Sequence, residues 1–150
     1  MFTLKRISSQ HQDFIRLVAA LDKDLSERDG NDHAFYNQFN SISEIKYALV
    51  AYLDTKPVGC GAIKEFDSIS MEVKRMYVLP EARGQRLATL ILKGLEAWAK
   101  ELGYENCVLE TGKRQPEAIS LYTKNCYETI SNYGQYVGIE NSVCFRKILP

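Results

Sequence analysis

The stretch from Ile69 to Ala88 constrains the fold of this chain more than any other. Ile69, Met71 and Val73 are apolar at period two, the spacing of a strand with one face on a core. The apolar set then slips to Met76 and Val78. Alternation cannot change parity without an extra residue, so a β-bulge is expected near Lys74-Arg75; a strand end with a mixed pattern is the plainer alternative. Pro80-Glu81-Ala82-Arg83-Gly84-Gln85-Arg86 reads as a loop. Leu87, Leu90, Ile91, Gly94, Leu95, Trp98 and Leu102 then form a helical stripe that Gly103 ends.

The rest of the chain supplies the partners for this unit. Phe2–Ile7 alternates as a short strand, and Ser9 with Gln12 has the spacing of a capping box. Phe14, Leu17, Val18, Leu21 and Leu25 form a first helical stripe, followed by an acidic, polar stretch to Asp32 with a break at Gly30-Asn31. His33–Phe39 is compatible with a short helix. Ile45–Leu53 and Val58–Phe66 flank Asp54-Thr55-Lys56-Pro57 as a hairpin, apolar enough to be covered on both faces. Asn106–Glu110 reads as a strand, Pro116–Asn125 as a helix, and Tyr127–Ser131 and Ser142–Ile148 as two final strands. The expectation is one mixed α/β domain over residues 1–150, with roughly seven strands and four helices.

Composition narrows the partners. The chain is 45% apolar and 25% charged, ordinary for a folded domain. Lys plus Arg is 19 and Asp plus Glu is 19, so no whole-molecule field draws it to nucleic acid or an anionic membrane. Cys60, Cys107, Cys126 and Cys144 form no C-x-x-C pair, and His11 and His33 stand at no spacing that would join a cysteine to a metal. No apolar run approaches a membrane span, and no signal stretch follows the first residues. A reduced, cytoplasmic protein without a metal is expected.

The chemistry points to the turn after the slipped strand. A strand running through Arg83-Gly84-Gln85-Arg86-Leu87-Ala88 into a helix aims several unpaired backbone N–H groups at one point, with the helix dipole behind them. Gly84 and Ala88 leave room for an anion, Arg83 and Arg86 add cations, and a pyrophosphate fits. The Walker sequence G-K-[ST] is absent, and so is G-x-G-x-x-G. A plain connection with no ligand is the alternative.

From Glu72-Val73-Lys74-Arg75-Met76-Tyr77-Val78 through Arg83-Gly84-Gln85-Arg86-Leu87-Ala88, the chain resembles the GNAT superfamily of N-acetyltransferases. That family's pyrophosphate signature is Arg or Gln, two residues, Gly, any residue, then Gly or Ala. Arg83 fills the first slot and Ala88 the last, while Arg86 stands in place of the usual Gly. Leu109-Glu110-Thr111-Gly112 and Gln115-Pro116-Glu117-Ala118-Ile119-Ser120-Leu121-Tyr122 resemble the fifth strand and fourth helix of that fold. Cys126-Tyr127 replaces the usual Gly and aromatic, and the tail Ser142–Lys147 is similar to small bacterial members of uncertain substrate. The resemblance implies a mostly antiparallel sheet splayed between its fourth and fifth strands, with acetyl-CoA in the splay. The pyrophosphate would lie on Arg83, Gly84, Gln85, Arg86, Leu87, Ala88 and Thr89, and the pantetheine arm along Met76, Tyr77 and Val78.

The same resemblance implies acetyl transfer to an amine acceptor that the sequence does not name. Such a reaction needs a neutral amine, donors for an oxyanion, and a proton or a tolerant site for the leaving thiolate. Tyr122 is the candidate acid and the Met76 N–H the candidate oxyanion donor. Glu72 is the candidate base, with Glu110 not separable from it. Tyr122 as a plain core aromatic and Glu72 as a solvent-facing carboxylate are the alternatives. The acidic stretch Asp22, Asp24, Glu27, Asp29 and Asp32 reads first as a solvated loop and second as a wall for a cationic acceptor. Tyr133 and Tyr136 either line that pocket or pack, and His33 reads as a surface or capping residue. A non-catalytic acyl-CoA-binding module, a generic nucleotide-binding domain and a homodimer stay open.

Overall fold

A computed structural model describes residues 1–30 and 44–150. The expected helix at His33–Phe39, and with it His33 and Asp32, lies outside the described residues. Among the described residues there are seven strands: β1 (Phe2–Ile7), β2 (Tyr47–Leu53), β3 (Lys56–Glu65), β4 (Ser70–Val78), β5 (Asn106–Gly112), β6 (Glu128–Ile130) and β7 (Ser142–Ile148). Among the described residues there are three α-helices: α1 (Gln12–Asp29), α2 (Leu87–Glu101) and α3 (Pro116–Lys124). The strands form one sheet in the order β1-β2-β3-β4-β5-β7-β6. Only β4 and β5 run parallel; every other neighbouring pair is antiparallel.

Both faces of the central strands are covered, as the continuous apolar runs of β2 and β3 require. Phe14, Leu17 and Val18 of α1 pack on Ala48, Val50, Cys60 and Ala62. On the other face Leu87, Ile91, Leu92, Leu95 and Ala99 of α2 join Leu49, Ala51, Met71, Val73 and Leu109, with Tyr122 of α3 in the same cluster. The buried face of α2 is rotated from the expected stripe. Leu92, Glu96 and Ala99 are buried, while Leu90 and Leu102 are exposed. The buried side chains follow the rows of i, i+4 neighbours that pack a helix on a sheet. Glu96 is accommodated there by Lys147 Nζ and the Tyr127 hydroxyl, each at 2.9 Å.

Two helix starts and ends show how local chemistry sets the boundaries. α1 begins at Gln12, where His11 Nδ1 accepts from the Asp13 N–H at 3.1 Å. The expected capping box of Ser9 and Gln12 is therefore not the cap; Ser9 is buried and His11 does the capping. The acidic stretch is not a loop either, since Asp22 to Asp29 form the last turns of α1, supported by an Asp24–Arg28 pair at i, i+4. At the far end of α3 the Tyr127 N–H donates to the Tyr122 carbonyl at 3.0 Å and the Cys126 N–H to the Thr123 carbonyl at 3.3 Å. These two bonds make a Schellman cap, which needs a left-handed residue at Cys126. Its side-chain part is a contact between the Tyr122 and Tyr127 rings at 5.7 Å.

The bulge expected in the fourth strand is present. Cys60 pairs with Tyr77 and Ala62 with Lys74, so Arg75 and Met76 together face Gly61. Met71, Val73, Met76 and Val78 all join the α2-side core, which explains the slipped alternation. Gly61 makes room opposite: a Cβ there would lie 2.7 Å from Met76 Sδ and 2.8 Å from Leu95 Cδ1, so those side chains would have to shift for any larger residue.

Candidate active site

The parallel ladder of β4 and β5 covers only Ser70–Asn106, Met71–Cys107 and Glu72–Val108. Beyond those pairs the strands part, although β4 runs on to Val78 and β5 to Gly112. A cleft of about 1060 Å³ opens there. Its walls are β4 from Glu72 to Val78, the turn before α2, α3 from Gln115 to Asn125, and the C-terminal part of α1. A strand pair that separates leaves backbone N–H and C=O groups without ladder partners, and a cleft there can present them to a ligand.

The turn into α2 has the geometry of an anion cradle. Gly84 has φ +80°, and nothing lies within 4 Å of where its Cβ would be. Arg86 caps the helix with φ 64° and ψ 18°, a left-handed conformation. Arg83 Nε donates to the Val78 carbonyl at 2.9 Å, and its guanidinium sits 5.6 Å from the Tyr77 ring centroid. Arg83, Gly84, Arg86, Leu87, Ala88 and Thr89 line the cleft together with Met76, Tyr77 and Val78. Gln85 is exposed and is not among the lining residues. The side chain of Leu87 is core, so that residue can serve a ligand only through its backbone.

Arg86 and Cys126 are the two positions where the chain departs from the expected glycine. Both are left-handed, with φ 64° and φ 71°. The backbone requirement is retained and a side chain strains it, at about 1 kcal/mol or somewhat more per residue. Arg86→Gly and Cys126→Gly are expected to stabilise the protein by about 0.5–1 kcal/mol each, after the entropy cost of glycine. Urea unfolding of both variants checks this, and a loss of stability in either would show that its side chain contributes more than the strain costs.

The titratable groups sit on both sides of the splay. Glu72 is buried rather than solvent-facing. Its Oε2 accepts from the Tyr133 hydroxyl at 2.6 Å, and Lys74 Nζ lies 3.8 Å from its Oε1. Glu110 also lines the cleft. Burial pushes its carboxyl up to about 7, with Asp29 and Glu72 adding to the rise and Ser142 and Lys74 opposing it. Tyr122 is buried on the α2 side, against Tyr127 and Phe145, and borders the cleft. Burial and the Glu110 carboxylate raise its phenol above the usual tyrosine range. An environment that moves a carboxyl toward neutrality and keeps a phenol protonated is how one site holds both a base and an acid.

Tyr136 lines the cleft, whereas Tyr133 is not among its lining residues; the two rings pack edge-on at 5.9 Å in a small cluster with Cys144, from which the Tyr133 hydroxyl reaches Glu72. Asp24 and Arg28 line the cleft, and Arg28 pairs with Glu117 across its mouth. Arg114 reinforces that span by donating to the Asp29 carbonyl at 3.0 Å. The sequence reading missed this α1–α3 clasp, the partial burial of Lys74 and the burial of Arg75. Arg75 had one visible signal: it stands at the parity slip itself. Among the described residues no group of three or more His, Cys, Asp or Glu is gathered that would hold a metal, and no helix is long and apolar enough to cross a membrane.

Residues 14–126 match the profile of the acetyltransferase (GNAT) family. A curated protein of Azospirillum brasilense named IAA acetyltransferase is 33% identical over 138 residues, which cover 89% of each chain. An Escherichia coli protein named as an N-acetyltransferase is 34% identical over 113 residues, 73% of this chain and 66% of that one. Among solved structures, a Klebsiella pneumoniae protein assigned as an acyl-CoA N-acyltransferase superposes with a TM-score of 0.84 at 33% identity, covering 100% of this chain and 99% of that one. A family acetyltransferase of Elizabethkingia anophelis with acetyl-CoA bound superposes with a TM-score of 0.74 at 14% identity, over 99% of this chain and 98% of that one, a likeness of fold.

Proposed function

The chain belongs to the acetyltransferase (GNAT) family and is an acyltransferase, and from that premise we propose that it moves the acetyl group of acetyl-CoA onto a primary amine by direct attack in a ternary complex. The observation that carries this reading is the parting of β4 and β5 beside the Arg83–Ala88 turn. It joins an anion cradle to a strand edge within one cleft. The pyrophosphate lies on the turn, and the pantetheine arm pairs with β4 along Met76–Val78. The Met76 N–H, opposite Gly61 in the bulge, meets the carbonyl oxygen as it becomes an oxyanion.

Glu110 is the base in this reading and Glu72 its neighbour that holds the acceptor's ammonium. Two observations support that order. Both oxygens of Glu72 already face a partner, Tyr133 and Lys74. Glu110 is the carboxyl whose surroundings place its titration near working pH, where a general base is most effective. Glu110 takes one proton from the acceptor's ammonium, the neutral nitrogen attacks the thioester carbonyl, the C–S bond breaks as Tyr122 passes its hydroxyl proton to the departing sulfur, and the second proton leaving the nitrogen returns to the Tyr122 oxygen.

Thiol release from acetyl-CoA against a panel of primary amines tests the proposal. Amine-dependent release is expected, together with a rise in melting temperature with acetyl-CoA that ATP and NAD do not produce. Binding of acetyl-CoA without release on any amine would leave a binding module, and equal shifts with ATP would remove the acyl-CoA reading.

A further inference from the structure

Arg75 carries several unfavourable features at once. Its backbone is left-handed, with φ 59°. Its side chain is only 2% exposed, although it bears a permanent charge. Its Nε is buried with no hydrogen-bond partner. Each of these costs stability, and unpartnered buried donors are rare in folded proteins. Strain of this kind persists where the surroundings enforce it, and it gathers at functional sites.

What the surroundings enforce is the bulge. Arg75 NH2 donates to the Val18 carbonyl at 3.4 Å and pairs with Asp22, both on α1. From the other side the Cys60 thiol donates to the Arg75 carbonyl at 3.3 Å. The residue is thus pinned by its side chain to a helix and by its carbonyl to β3. With Arg75 fixed in the left-handed region, Met76 follows as the second residue of the bulge, off the regular register. Both α1 contacts come from one terminal nitrogen, NH2, so a Lys ammonium can take the same two partners without the rest of the guanidinium.

We propose that Arg75 is a positioning residue, which locks the β4 bulge to α1 so that the Met76 N–H stays aimed at the acyl carbonyl. This rests on the reading of Met76 as oxyanion donor. It predicts that replacing Arg75 lowers turnover without loosening the cofactor. The loss of one oxyanion donor costs on the order of 10²-fold in turnover.

The test uses the full chain as parent, Arg75→Met, Arg75→Lys and Asp22→Asn. Acetyl-CoA affinity is measured by titration, turnover on the best amine, and the C=O stretch of carbonyl-¹³C acetyl-CoA by isotope-edited infrared of the bound complex. The infrared reading needs no acceptor. In the parent the bound carbonyl band should lie below its position in solution, because a donor polarises it. In Arg75→Met the band should return toward the solution position and turnover fall, with affinity within about threefold of the parent. Asp22→Asn, whose changed side chain is partly exposed and leaves the core intact, should move both readings the same way by less. Arg75→Lys, which keeps a cation for the same two α1 partners, should restore both readings in part. A parent band at the solution position would overturn the donor reading of Met76, and the role of Arg75 with it. A shifted parent band that is unchanged in Arg75→Met and in Asp22→Asn would overturn the role of Arg75 alone. Affinity falling in step with turnover would make Arg75 a packing residue and overturn the proposal.

Discussion

Tyr122→Phe is expected to lower turnover by roughly 10²-fold or more and to leave acetyl-CoA affinity nearly unchanged. The ring does not need its hydroxyl to stay in place. It is held by Tyr127 at 5.7 Å and Phe145 at 6.0 Å, and its backbone carbonyl takes part in the cap that ends α3. Phenylalanine keeps all of that and removes only the proton. Burial and the Glu110 carboxylate keep the phenol protonated across the neutral range. A phenol so held is a weak acid, but the thiolate leaves into the same buried cleft, where desolvation raises its proton affinity as well. Were Tyr122 only a core aromatic, its hydroxyl would be worth about 1 kcal/mol of stability and turnover would hardly move. Steady-state kinetics with melting curves separate the two. A variant within about threefold of the parent in turnover would mean that the thiolate leaves unprotonated or takes its proton from water.

The elements that position this tyrosine were legible to different degrees in the sequence. β4 and its bulge could be read because a parity slip in a strand has one geometric cause, an inserted residue, and Met71, Val73, Met76 and Val78 do share one face. β7 was legible to the residue, Ser142–Ile148, because Glu140-Asn141 precedes its alternating run and Pro150 stands just after it. The phase of α2 was less clear. Leu90 and Leu102 carry the right chemistry but sit on the exposed flank, and Glu96 lies in the core because Lys147 and Tyr127, far away in sequence, meet it there. No local pattern announces a buried ion pair whose partner comes from another strand. The acidic end of α1 misled for the same reason: Asp22 pairs with Arg75, distant in sequence, Asp24 pairs with Arg28 within the helix, and Arg28 in turn meets Glu117 of α3.

The site divides in the same way. The anion cradle was visible because Gly84, Arg83 and the following helix are contiguous, and the two departures from glycine were visible as departures. Their left-handed backbones at Arg86 and Cys126 were not. Glu72 and Glu110 could not be ranked from sequence, since each is a lone carboxylate on an otherwise apolar strand segment, between Met71 and Val73 and after Val108-Leu109. Their difference lies in who faces them across the splay: Tyr133 from the β6–β7 connection engages Glu72, whereas burial dominates at Glu110.

That difference carries the second large effect. The ordinary value for Glu110 is 4.5, and in the folded protein it titrates at about 7. If it is the base it must be ionised to accept the amine's proton, so kcat/KM should climb as pH rises through about 7 and then level off. Glu110→Gln should lower kcat/KM by roughly 10²- to 10⁴-fold and abolish that limb. Stability moves the other way. A carboxyl whose proton is held more tightly when folded contributes its stability in full below the unfolded value, and that contribution is lost as pH rises through the folded one. The parent should therefore weaken from about pH 4.5 to 7, and above pH 7 it carries a buried anion at full cost. Glutamine bears no charge at either end, so Glu110→Gln should match the parent near pH 4 and exceed it at pH 8 by roughly 2–3 kcal/mol. The paired measurement is a pH–rate profile and urea unfolding at both pH values, for Glu110→Gln and for Glu72→Gln. If Glu72→Gln removes the limb and Glu110→Gln keeps it, the base is Glu72. Equal stability of Glu110→Gln and the parent at pH 8 would show that the Glu110 carboxylate is solvated at no cost, and so not poised to take a proton at neutral pH.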